Sequence, residues 1–453
     1  MPVLLLKKIP AVLTLFLLAA FNVFSQTQEE ITQAIDEGNC VFLYDFLQEP
    51  EGKDTRLLAS ARQALERYTR RDTAVSQYKT NRMEVRVRNV RPELIENVFE
   101  YPQTYLPRVV DWLMSGLTDP FMKVKVIHDW ICHNIAYDAD HYFGIRYSSQ
   151  DYVTVVKNKK GVCAGYVSLF NEMCRLAGIE SIGINGFSKG AGYSGTLDDS
   201  PDHAWNAVKI NNKWYLIDVT WNAGYLEYYS SIKRYSTDYL FLDSRAFLYT
   251  HLPVDDKHQF YAPLVIKEQF VREPKLAGLF FRYGLEFNGD MPNYTNIVED
   301  NFTFQLINRN NNVTISSQLR TLRHQNIPNA AKQSRRGNVY TFIFEMPDSE
   351  TYSVQVFAGL RNENRLWDRI PITRYEQEII PILEWLRENG IITEREKNHF
   401  LNAYYKIEYN GYYYLIDDQF YTERNDALYK IHPVVNLPLN MISSVLEFSV
   451  RRE

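Results

Sequence analysis

Between Gly161 and Asn222 the chain sets a thiol, an imidazole and a carboxylate in local patterns that suit nucleophilic chemistry. Cys163 stands at the head of a helical pattern. Val167, Phe170, Cys174 and Ala177 fall on one stripe, with Leu169, Met173 and Leu176 beside it, and Gly178 supplies a stop. A thiol at a helix N-terminus meets the positive end of the helix dipole, which favours the reactive thiolate. The free N–H groups of the first turn point outward and can hold an oxyanion. Ala164 and Gly165 leave room there for a substrate carbonyl. His203 begins an alternating strand, HAWNAVKI, Asn211-Asn212 forms a tight turn, and WYLIDVTW returns with Asp218 near its end. An antiparallel hairpin makes those two ends neighbours. Asp218 then bonds one imidazole nitrogen and leaves the other facing Cys163, which is the nucleophile, base and orienting acid of thiol acyl transfer.

The segments GVCAGY (161–166), DHAWNAV (202–208) and WYLIDVTW (214–221) together resemble the transglutaminase-like superfamily of papain-type thiol enzymes, in the order Cys, His, Asp. WICHNIAYD (130–138) is similar to the stretch that precedes the Cys in that family. YLFLDSRAFLYTHLP (239–253) is similar to the segment after the Asp in its kyphoscoliosis-peptidase-like branch. That branch usually carries a Trp a few residues after HLP; Lys257-His258-Gln259-Phe260 has none here. The resemblance covers roughly residues 105–262. It implies an α+β, papain-like core in which the Cys helix packs on an antiparallel sheet. It also implies a Cys163–His203–Asp218 triad acting on amide bonds through a thioester, with peptide hydrolysis favoured over transfer to an amine. A non-catalytic domain that only holds peptide or glycan is the rival reading.

Those elements must be carried by a chain of 453 residues, too long for one core, so two or three domains are expected. A net charge of −5 gives no basis for nucleic acid as a partner; a peptide or protein substrate is what the resemblance implies. Residues 1–25 read as a secretory leader: Lys7 and Lys8, then the apolar AVLTLFLLAAF, then small residues before Gln26. The apolar run is short for a bilayer span, so a secreted or periplasmic location is expected, with no span in the mature chain. The four Cys are too few for a disulfide framework, and their spacing is unlike a zinc site. His128 and Cys132 share a helix face without further ligands, so no metal or other cofactor is expected.

Residues 26–82 read as an N-terminal helical segment, EEITQAIDEGNCVFLYDFL and TRLLASARQALERYT, ahead of a catalytic domain over 83–262. MEVRVRNV (83–90) alternates like a strand. Gln150, Asp151 and Tyr152 are candidates for a side-chain oxyanion donor or a cleft wall. The Gly-rich 183–201 reads as containing a mobile loop over the site, with Tyr193 toward substrate. Trp205 and Trp221 read as core or cleft wall. Short alternating stretches over 263–362, beginning with GLFFRYGLEF, predict a β-sandwich-like accessory domain. Residues 363–453 predict an α+β segment: helices YEQEIIPILEWLRENG and TEREKNHFLNAYY, a hairpin KIEYNGYYYLID and a last strand near VLEFSV.

Overall fold

The computed structural model describes residues 28–360 except 71, 81–82, 191, 228–229 and 324; beyond these it describes 369–371, 384, 387–388, 404–409, 412–417 and 443–452. The leader expected over 1–25 lies outside the described residues, as do nearly all of the helices expected between 375 and 403. Tyr404 and Tyr405, read as the end of the second of those helices, belong instead to strand Tyr404–Tyr409. That strand pairs antiparallel with Tyr412–Asp417, as the hairpin reading expects.

The protein is α+β. Its central element is a five-stranded antiparallel sheet of β3 (Ser181–Ser188), β4 (His203–Ile210), β5 (Lys213–Ile217), β6 (Leu240–Leu242) and β7 (His251–Pro253), in the order β6-β5-β4-β3-β7. Asn211 and Asn212 both take positive φ, 50° and 59°, the backbone that a two-residue hairpin turn requires. Both faces of the sheet are covered, and β4 accordingly alternates between two clusters. Val208 and Ile210 join the helical core, while Trp205 and Ala207 face Trp214, Leu216 and Phe247.

On the first face lie α1 (Pro120–Asn134) and α2 (Cys163–Leu176). α2 buries Tyr166, Leu169, Phe170, Met173 and Cys174, so the stripe runs through Tyr166 where the sequence pattern pointed to Val167. Asn206 Nδ2 donates to Asn171 Oδ1 at 3.0 Å and ties α2 to β4. The alternating MEVRVRNV is not a strand. Val85–Arg88 forms a helical turn, because Val87 and Val90 are three apart and both reach the core while Val85 stays exposed.

The N-terminal helices sit on the hairpin turn. Residues 28–37 and Cys40–Gln48, read as one stretch in the sequence, are separated at Gly38, whose φ is +71°. A Cβ there would lie 2.6 Å from the Tyr68 hydroxyl, so glycine is required for contact as well as for the turn. Arg67 donates to the Asn212 carbonyl and Lys213 to the Arg70 carbonyl, both at 3.1 Å.

Beyond Pro253 two further sheets enclose a separate apolar core that includes Phe304, Phe342, Phe344, Val354 and Phe448. The stretch GLFFRYGLEF is only partly strand: Gly278–Arg282 is helical and Leu285–Phe287 is extended. Strand Ser443–Arg452, expected within the segment 363–453, pairs antiparallel with Thr351–Leu360 and parallel with Thr295–Val298, and so completes one of these two sheets.

This second unit grips the chain that leads to His203. Tyr193 packs edge-on against Tyr294 with ring centroids 4.8 Å apart, and the Tyr294 hydroxyl donates to the Tyr193 carbonyl at 3.1 Å. Tyr193 therefore serves the domain contact, a role that the sequence did not suggest. Gly195 lies so close that a Cβ would be 2.8 Å from the Tyr294 ring. Tyr294→Ala should release this loop. Limited proteolysis within 190–200 is expected to accelerate several-fold with the circular dichroism unchanged. Equal cutting rates would show that the loop is held by its own contacts alone.

Candidate active site

Cys163 is the first residue of α2, half-buried, and follows Val162 in extended conformation. The Val162 carbonyl accepts from the Gly165 and Tyr166 N–H groups, at 2.8 and 3.1 Å. The Cys163 and Ala164 N–H groups lie ahead of the first helical bond and are left for a ligand. The start of the helix is fixed from two sides. β1 (Ala136–Tyr137) pairs in parallel with β2 (Lys160–Gly161), and the Asp138 N–H donates to the Gly161 carbonyl at 3.0 Å. Gln150 Oε1 accepts from the Val162 N–H at 2.9 Å.

That bond decides the role of Gln150. Its amide NH₂ is directed to Ser148, 3.1 Å from both the carbonyl and the hydroxyl, so the side chain clamps the Cys loop. Asp151 caps the helix Tyr152–Asn158, accepting from the Thr154 N–H. A Cβ on Gly165 would lie 2.5 Å from Gln150 Oε1 and 2.8 Å from Val155 Cγ2. The space at Gly165 is thus taken by Gln150 and Val155, whereas the sequence reading kept it for substrate.

His203 begins β4 and Asp218 follows β5, where it caps the short helix α3 (Val219–Ala223). Asp218 Oδ2 accepts from His203 Nε2 at 2.7 Å, and Oδ1 accepts from the Trp221 N–H at 2.9 Å. The Nδ1 edge of the imidazole is left for the Cys163 thiol, whose interaction with His203 helps to raise the imidazole pKa. Burial disfavours the imidazolium, but the Asp218 charge, its hydrogen bond and the Cys163 contact outweigh it, raising the His203 pKa to about 10. Burial likewise disfavours the Asp218 carboxylate, yet His203 and His251 hold its pKa well below the ordinary range. Trp221 stacks on His203, centroids 5.5 Å apart, and Trp205 is buried behind it. Both are wall and core residues, as the sequence suggests. Asp202 pins the strand start, accepting from the Ser188 N–H at 2.7 Å and from its hydroxyl at 3.0 Å.

Sequence reasoning missed His251. Its Nε2 lies 3.1 Å from Asp218 Oδ2, the oxygen that His203 also uses. The signal was present in HLP, but nothing local distinguishes this His from a core residue. His203, Asp218 and His251 are also the set that could share a metal ion among the described residues, their ligand atoms lying within 4.8 Å of one another. Two hydrogen bonds to one carboxylate oxygen account for that convergence without an ion. His128 and Cys132 do meet, at 3.6 Å, but inside a buried network with Asp129, Lys125 and Asn222.

A thiol at a helix start, coupled to an Asp-anchored imidazole on an antiparallel sheet, describes the class of papain-like, transglutaminase-type domains. Residues 107–219 match the model of the transglutaminase-like superfamily, and residues 267–376 match that of the KY-like, immunoglobulin-like domain. The chain carries a transglutaminase-like domain, and its similarity extends to the kyphoscoliosis-peptidase-like branch. Kyphoscoliosis peptidase of Homo sapiens is 32% identical over 181 residues, covering 39% of this chain and 27% of that protein. Kyphoscoliosis peptidase of Mus musculus is 29% identical over 184 residues, 40% of this chain and 28% of that protein. Hillarin of Drosophila melanogaster is 29% identical over 207 residues, 42% of this chain and 25% of that protein. The alignments thus span about a quarter of the length of these relatives.

Proposed function

We propose that this protein is an exported thiol enzyme that acts on amide bonds of peptide or protein substrates through Cys163, His203 and Asp218, with hydrolysis favoured over transfer to an amine. The observation that carries the reading is the Asp218–His203 hydrogen bond of 2.7 Å, which leaves the other imidazole edge for a thiol at a helix N-terminus. The Cys163 thiolate attacks the amide carbon, and the carbonyl oxygen becomes an oxyanion facing the Cys163 and Ala164 N–H groups. The His203 imidazolium gives its proton to the leaving amine, and the C–N bond breaks to leave a thioester on Cys163. Neutral His203 then takes a proton from water as it attacks, releasing the acid and regenerating the pair. An amine in place of water gives cross-linking, which is the second outcome of the same intermediate. Export rests on the leader-like residues 1–25. The names of the kyphoscoliosis peptidases are in keeping with hydrolysis.

The test is the pH dependence of iodoacetamide labelling at Cys163 in wild type and His203→Ala. A thiolate paired with imidazolium labels at a steady rate well below pH 7. An ordinary thiol gains about tenfold per pH unit up to about 8.5. The wild type is expected to show the plateau and His203→Ala the slope, with about tenfold or more lost near pH 6. Identical slopes in both proteins would sink the enzyme reading.

A further inference from the structure

We propose that His251 is a positioning residue for this chemistry: its Nε2–H holds Asp218 Oδ2 in place and tempers the pull of that carboxylate on His203. The proposal rests on the triad reading above. The two imidazoles reach one oxygen, His203 at 2.7 Å and His251 at 3.1 Å, from strands on opposite sides of β3. His251 is completely buried, and its ring is boxed by Phe247 at 4.1 Å, Trp221 at 4.4 Å and Trp205 at 5.0 Å. On its far side Nδ1 lies 2.9 Å from the Thr250 hydroxyl. A neutral imidazole has one N–H. Asp218 Oδ2 can only accept, so that N–H sits on Nε2 and is directed at Asp218, which leaves Nδ1 without a proton beside the Thr250 hydroxyl. A histidine present only for packing has no need of this; its N–H is here given to the carboxylate that orients the base.

The titratable groups that face His251 are Asp218, His203, Asp202 and Tyr239. Burial pushes His251 down to about 4, against the Asp218 hydrogen bond and charge. Between about pH 4 and about 10 it is neutral while His203 is charged, so the two rings do not repel there. Asp202 is already engaged by Ser188. A carboxylate oxygen shared between two donors is a weaker acceptor for each. Without His251, Asp218 would bind the His203 proton more tightly, and the imidazolium would be a poorer acid toward the leaving amine. The carboxylate would keep only Trp221 and His203 to fix its rotation.

The experiment follows His203 by NMR in the full chain with labelled histidines, in wild type, His251→Phe and His251→Gln. Phe keeps the ring contacts and removes the donor; Gln restores a donor. The expected result is that Phe raises the His203 titration by about one pH unit, a tenfold gain in proton affinity, moves its Nε2–H resonance downfield and lowers kcat more than it changes KM. Gln should return all three toward wild type. If Phe fails to fold, Thr250→Val, which frees the other imidazole tautomer, should move His203 the same way by less. A His203 titration unmoved by Phe, or by Val in its place, overturns the proposal. If Cys163 labelling proves indifferent to His203 while His203 still responds to position 251, the positioning role stands and the acyl-transfer reading falls.

Discussion

Asp218→Asn is expected to lower amide turnover by about 10³–10⁴-fold while leaving the fold intact, the scale seen when a triad acid is replaced without disturbing its geometry. The reason is donor parity. Asp218 offers two acceptor oxygens, and the site uses both: Oδ1 takes the Trp221 N–H, and Oδ2 takes His203 and His251. Asparagine has one acceptor end. If its oxygen faces the imidazoles, its NH₂ faces the Trp221 N–H, and a buried donor loses its partner at a cost of about 1–3 kcal/mol. If it is reversed, both imidazoles must present bare Nε2 atoms. His203 then carries its proton on Nδ1, toward Cys163, and cannot take the thiol proton. Either orientation removes the ion pair. The measurement is kcat against a peptide amide, with labelling at Cys163 beside it. Turnover within about threefold of wild type would remove Asp218 from the mechanism.

The same geometry shows why the site was legible in the sequence and its supports were not. Cys163, His203 and Asp218 announce themselves through local rules: a Gly before a helix, an alternating strand, an Asn-Asn turn whose register makes the two strand ends adjacent. Each rule spans fewer than ten residues or so and needs no tertiary knowledge. His251 and Gln150 obey no such rule. His251 reaches Asp218 because β7 pairs with β3 on the far edge of β4, a crossover that no local pattern encodes. Gln150 had the right chemistry for an oxyanion donor, and only the direction of its amide toward Val162 and Ser148 shows it to be a clamp. The Tyr193 contact was hidden for the same cause: its partner, Tyr294, is 101 residues away. The short segments misjudged as strands, Val85–Arg88 and Gly278–Arg282, have apolar residues that satisfy period two and a single helical turn alike, so packing made the choice.

Asp129→Ala is expected to destabilise the protein by about 3–5 kcal/mol, a large share of the 5–15 kcal/mol that a typical domain has. Asp129 lies fully buried on α1 and gathers four donors: Lys125 Nζ, the Tyr235 hydroxyl at 2.7 Å, His128 Nδ1 at 2.9 Å and the Glu84 N–H at 2.8 Å. Burial opposes its charge, but the His128 and Lys125 interactions hold its pKa below the ordinary value. Burial lowers the His128 pKa, against the Asp129 hydrogen bond, and the other imidazole nitrogen lies 3.0 Å from Asn222 Nδ2. Asn222 belongs to α3, the helix that Asp218 caps, so the network ties Asp218 to α1. Alanine leaves the buried Lys125 charge without the Asp129 carboxylate, which is why one-sided removal costs more than the pair contributes. The double change Lys125→Met with Asp129→Leu removes both charges and should recover much of the loss. The pH dependence gives an independent sign. A carboxylate with a depressed folded pKa contributes stability above its unfolded value of about 3.9, and that contribution is lost as pH falls through the folded value. His203 behaves oppositely: its contribution is whole below about 6.5 and is lost as pH rises toward about 10. Urea unfolding of the wild type should therefore weaken at both ends, and Asp129→Ala should flatten the acid limb alone. A single mutant no less stable than the double would show that Lys125 does not need its counter-ion and that the network is not what fixes α3 beneath the site.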